Sequence, residues 1–143
     1  VTARELPELE RRRRATQATL DRYRDKQFSW ARGITCVHLA RAQLKNMGHR
    51  PPTLPRFRSA LAAKRALAER GWPSVSAMLD ELLLPIAPAM MRVGDLAVVP
   101  GTDGLDSILI CAGHPKLLGW HPETGAFVVY DGGIEQLTGA WRV

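Results

Sequence analysis

The residue best placed for covalent chemistry is Cys36. It stands in the stretch F-S-W-A-R-G-I-T-C-V-H, residues 28–38, where an aromatic loop runs into a Thr, a Cys and an apolar-periodic segment. At the first turn of a helix, free backbone N–H groups and the helix dipole favour a thiolate. They lower a thiol pKa from its free value of about 8.5. A histidine nearby would lower it further and act as base. The same position also suits a small buried residue that simply opens an apolar helix face. Four histidines could serve. His38 lies two residues on along the same helix and points about 200° away by helix geometry. His49 sits in a Pro-rich loop and His114 in the turn Gly113-His114-Pro115. His121, at the end of an expected strand, is the best placed partner for Cys36, and is otherwise a surface histidine.

Other constellations are poorer in chemistry. Gly94-Asp95 precedes a strand, where the carboxylate accepts hydrogen bonds from a turn, a structural role. Asp131-Gly132-Gly133 reads as a tight turn. The two cysteines, Cys36 and Cys111, fit no C-x-x-C or Cys/His spacing, so no structural zinc and no cofactor are expected. Reduced thiols are the default, with a single Cys36–Cys111 disulfide left open. Trp30, Trp72, Trp120 and Trp141 are dispersed and give no stacking platform for single-stranded nucleic acid.

The elements that position these groups follow from periodicity and breakers. Leu6, Leu9, Arg13, Thr16, Leu20 and Tyr23 fall three or four apart and predict a helix over 3–26. This basic segment, with Arg11–Arg14 in its middle, is expected to act as a docking helix (residues 1–26) ahead of a second unit (27–143). Thr35 caps a second helix whose face carries Cys36, Ala40, Leu44 and Met47, ended by Gly48 and the prolines that follow. Residues 49–57 form an extended Pro-rich connection. Ser59 caps a helix over about 60–70 and Ser74 another over about 75–84. Pro85 and Pro88 then break the chain into short pieces. Beyond Gly94 the pattern becomes a meander, with strands at 96–99, 107–112, 116–121, 126–131 and 140–143. Helices first and strands second predict an α+β fold with a four- to five-stranded antiparallel sheet.

Bulk properties set the frame. With 143 residues, 45% hydrophobic and 24% charged, the chain is globular in composition and needs no disulfides to build a core. No apolar run approaches the ~20 residues of a membrane span, and no secretory core follows the N-terminal charges. A soluble protein made in the cytoplasm is expected. The net charge of +6 conceals a segregation. Residues 1–70 hold 17 Lys+Arg against 6 Asp+Glu, and residues 71–143 hold 3 against 8. A basic patch alone specifies no partner, and nucleic acid is not the expected one.

The order of these features resembles the NlpC-type cell-wall cysteine peptidases, and more closely a family of small NlpC-like proteins encoded among phage and prophage tail genes. The motifs are the F-x-W loop, the helix-opening Cys36, the G-D-L-A-V-V strand, an apolar strand ending in Gly, and a closing A-W-R-V. The resemblance covers about residues 20–143 and implies a papain-like fold. It places Cys36 at the nucleophile position and Gly94-Asp95-Leu96 at the start of the first strand. It also exposes departures. Thr35 stands where the peptidases carry Asp. Ser107, opening S-I-L-I-C-A-G, stands where their catalytic histidine begins a strand, and His121 falls near the third, polar position. Serine cannot replace an imidazole base. The resemblance therefore implies a degenerate, inactive peptidase domain serving as a structural part of a phage or phage-like tail, at its tip or hub. Its partners would be other tail proteins and peptidoglycan. It would be found in the host cytoplasm during assembly and afterwards in the virion tail. The alternative is an active cysteine peptidase or amidase that cuts peptidoglycan during DNA entry, with Cys36 as nucleophile and His121 as base.

Overall fold

A computed structural model describes residues 7–143 of the chain. Four helices, α1 (Glu8–Tyr23), α2 (Cys36–Asn46), α3 (Ala60–Glu69) and α4 (Val75–Leu82), precede the bulk of the sheet. Its strands are β1 (Leu84–Ile86), β2 (Leu96–Val99), β3 (Ser107–Cys111), β4 (Lys116–Trp120), β5 (Phe127–Asp131) and β6 (Gly139–Arg142). They form one antiparallel sheet in the order β1-β6-β2-β3-β4-β5. The α+β architecture is as expected, but the sheet has six strands among the described residues, not four or five. The additional strand is β1, which pairs with β6 through Leu84↔Arg142 and Ile86↔Ala140. Pro85 signals a break when read locally, yet a proline is tolerated on an edge strand because one side of that strand needs no donor.

The helix ends follow local chemistry. Thr35, Ser59 and Ser74 each accept a hydrogen bond from the amide three residues on, satisfying one free donor of α2, α3 and α4. Gly48 closes α2 with φ at 91°, and His49 N–H then donates to the Leu44 carbonyl at 2.9 Å. That left-handed step is why a glycine stands there.

Strand alternation divides the core into two layers. Toward the helices, Leu96, Val98, Ile108, Ile110, Leu118 and Trp141 pack with Cys36, Leu39, Ala40 and Leu44 of α2. On the other face, Ala97, Leu109, Cys111, Leu117 and Ala140 are covered by Met91, Ile86, Ile134 and Leu137, which come from short segments and not from a helix layer. Cys36 and Cys111 therefore belong to opposite layers, and both thiols are free.

Helix α1 turns inward a face that only partly overlaps the expected one: Thr16 and Tyr23 are buried and Leu20 packs against the core, as expected, but the rest of the face is shifted. Arg12, Ala15, Thr16, Thr19 and Tyr23 are buried, Leu9 is 51% exposed, and Arg13 is exposed. Leu6 lies outside the described residues. The buried face is polar because it meets a polar strip on α2. Gln43, fully buried, accepts from the Thr19 hydroxyl at 2.6 Å and donates to Thr16 Oγ1 at 3.1 Å and to the Gly94 carbonyl at 3.2 Å. Asn46 donates to Thr19 Oγ1 at 2.8 Å. Buried amides and hydroxyls are tolerated when paired in this way. Periodicity counted over apolar residues misses such a face.

Candidate functional site

The candidate site is a fork in the sheet. Strands β3 and β4 pair only at Ile110↔Leu118 and Cys111↔Leu117. Continued one step at a time, that register would set Leu109 opposite Gly119, Ile108 opposite Trp120 and Ser107 opposite His121. Instead β3 stays with β2 as far as Val99↔Ser107, while β4 stays with β5 as far as Trp120↔Phe127. At the fork the Leu109 side chain occupies the space where a Cβ on residue 119 would stand, which only Gly119 leaves open. The parted strands open a cleft of about 380 Å³ whose lining includes Cys36, Phe28, Ser107, Trp120, His121 and Tyr130. The Tyr130 hydroxyl donates to the Trp120 carbonyl at 3.1 Å, bridging over the end of β4.

Cys36 occupies the inner end of the fork. Cys111 N–H donates to the Asp95 carbonyl on the β2 side. Alternation along β3 therefore turns the Asp106 carbonyl and the Ile108 amide toward the side β4 has vacated. There they meet the Cys36 sulfur. The thiol donates to the Asp106 carbonyl at 3.9 Å, and the Ile108 amide is close enough to favour the thiolate. Cys36 stands in for the missing strand. Burial pushes its pKa up to about 11, against a smaller opposing effect of the Ile108 amide, while the Asp103 carboxylate pushes it further up. The group is a thiol at neutral pH, and the helix start does not outweigh desolvation.

The histidines divide among other tasks. His121 lines the cleft with Cys36, but its Nδ1 accepts from the Glu123 amide at 3.2 Å within the 121–126 turn. Among the described residues the Cys36 sulfur has its hydrogen bond to the Asp106 carbonyl and none to His121. His38 lies against Phe57, ring centroids 5.2 Å apart and tilted by 48°, with Nδ1 2.8 Å from Thr35 Oγ1. Burial lowers its pKa, so it is neutral there. His49 and His114 are exposed and neither lines the cleft. Ser107 opens β3 as expected. Its place in the alternation is with Leu109 and Cys111, away from the helix layer. The Asp95 carboxylate serves structure, as expected, accepting from the Arg92 amide at 2.8 Å and pairing with Arg12 at 3.1 Å. Among the described residues no group of three or more His, Cys, Asp or Glu is arranged to hold a metal ion. No described helix is long and apolar enough to cross a membrane.

Two predictions arise here. Cys36→Ala removes the donor to the Asp106 carbonyl together with a buried sulfur and should cost about 1–3 kcal/mol in urea unfolding. Cys36→Ser, which keeps a donor and an acceptor, should cost less. Equal losses would remove the thiol's bonding role. Gly101 stands in the loop that walls the cleft, where an added Cβ would come 1.8 Å from the Leu105 carbonyl oxygen. Gly101→Ala should therefore destabilise by about 1–3 kcal/mol and shift the Leu105 amide resonance. An unshifted resonance and unchanged stability would show that the loop yields freely.

Sequence reasoning missed the fork itself. Its trace in the sequence is Gly119, a glycine inside a strand, which often marks a close backbone approach. No curated protein matches the sequence. The chain belongs to the family described as a domain of unknown function (DUF6950), whose model matches residues 7–143.

Proposed function

We propose that the chain is a structural component of a phage or phage-like tail, in the tip or hub region, built on a papain-like NlpC-type domain that has lost its peptidase chemistry. The observation that carries the loss is the state of Cys36, a thiol held at about 11 and bonded into β3. An active pair would instead place an imidazole within hydrogen-bond reach of the sulfur. The papain-like reading is supported by a cysteine that opens α2 and packs beneath an antiparallel sheet. The tail assignment is supported by the sequence resemblance alone. A second reading, an active peptidase or amidase on peptidoglycan, is favoured by one observation, that Cys36 and His121 line the same cleft.

The experiment has two arms. Purified protein incubated with peptidoglycan sacculi should release no more soluble muropeptide than its Cys36→Ala variant. Cys36-dependent release would establish the second reading. Cross-linking and mass spectrometry of assembled tails from a strain encoding the chain should find it bound to tip proteins. Tails that assemble without it would sink the first.

A further inference from the structure

The cleft at the fork has a charge that contrasts with that of the whole chain. Three loops of the sheet border it, at 100–106, 121–126 and 131–136, each contributing lining residues, and on the helix side the segment that carries Lys26 and Arg32 contributes Phe28. The three sheet loops carry Asp103, which lines the cleft, and Asp106, Glu123, Asp131 and Glu135 around it, with no Lys or Arg of their own, in a chain of net charge +6. Four of the five are exposed, and none is in an ion pair among the described residues. Between these loops lie the rings of Phe28, Trp120 and Tyr130. Its volume of about 380 Å³ lies within the range of ligand clefts.

From this we infer that the cleft is a docking groove for an extended Lys- or Arg-bearing segment of a partner protein. The inference rests on the reading of the cleft as non-catalytic and names what it receives. Aromatic walls take the aliphatic stems of Lys and Arg and attract their cationic ends. Carboxylates at the mouth steer a basic segment in and repel phosphate, nucleic acid and acidic peptides.

The test uses the full chain and the capped peptide Ac-Ala-Arg-Ala-Lys-Ala-NH2, with Ac-Ala-Glu-Ala-Glu-Ala-NH2 as control, titrated by heteronuclear NMR. The basic peptide should shift the amides of Gly101, Gly132 and Gly133, bind at least about tenfold tighter than the acidic one, and weaken with salt. The triple variant Asp103→Asn, Asp131→Asn, Glu135→Gln should lose about tenfold, the product of three exposed pairs. No binding, equal binding of both peptides, shifts confined to α1–α3, or an unaffected triple variant would each overturn the assignment. So would concentration-dependent self-association that shifts the same amides without peptide, since the occupant would then be a second copy. The titration is repeated on Cys36→Ala. Binding there upholds the groove even if the wild-type chain cleaves the peptide, a result that would overturn only the non-catalytic reading.

Discussion

Asp95→Ala should cost about 3–5 kcal/mol, a large part of the stability of a domain this size. The carboxylate is fully buried and has four partners. Oδ1 accepts from Arg12 Nη1 at 3.1 Å and from the Val143 amide at 2.9 Å. Oδ2 accepts from the Arg92 amide at 2.8 Å and lies 3.2 Å from Arg142 Nε. Removing it takes away the buried counter-charge of the Arg12 guanidinium, which keeps only the solvent-exposed Glu8 carboxylate and the backbone oxygens of Val93 and Val143. An unpaired buried charge is what makes breaking such a pair expensive. Arg12→Met removes the charge with the partner intact and should also destabilise. The double variant should lose less than the sum, because neither charge is then stranded. Urea unfolding of the four proteins measures this. Strictly additive losses would mean that the two groups act independently.

Cys36 in the folded chain should react with iodoacetamide at neutral pH about 100-fold more slowly than in the unfolded chain. A pKa moved from 9.0 to about 11 leaves about a hundredth of the thiolate, and burial slows access further. The rate should climb steadily with pH, with no plateau between pH 4 and 8 of the kind a histidine-paired thiolate gives. The same displacement fixes a stability trend. An acid whose folded pKa is raised contributes fully below its unfolded value, here 9.0, and the contribution is lost as pH rises toward about 11. Mass spectrometry separates Cys36 from Cys111, which is also buried and also raised by burial. Rapid labelling of Cys36 at pH 7 would contradict the buried-thiol description and favour a nucleophile.

The helix caps, the helix-to-strand transition at Gly94 and five of the six strands were legible because each carries a local signal. The short edge strand β1 was not, since its pairing is decided by β6 more than fifty residues away. Helix α1 was legible as a helix, and its orientation only in part, at Thr16, Leu20 and Tyr23. Its inward face is chosen by Gln43, Asn46 and Asp95, and polar complementarity between distant segments leaves no apolar stripe. At the candidate site, the position of Cys36 at the start of α2 could be read from Thr35 and the apolar spacing. Its protonation could not, because that depends on how completely β3 and the 101–106 loop cover it. The choice of His121 followed strand order, whereas its ring is engaged by Glu123 in its own turn.

The Arg12–Asp95 contact also sets an order of events during synthesis. Arg12 is joined to residues 83 and 131 positions later in the chain, so beyond Glu8 in its own helix its partners are completed only when the last strand exists. Loop closure over such separations makes native contacts slow to form. On the ribosome, α1 emerges ahead of the sheet, finds Gln43 and Asn46 of α2 early, and must wait for Asp95 and β6 before the Arg12 end of its inward face is satisfied. During that interval the chain exposes apolar and polar surfaces together, the stage at which chaperones bind and non-native association competes.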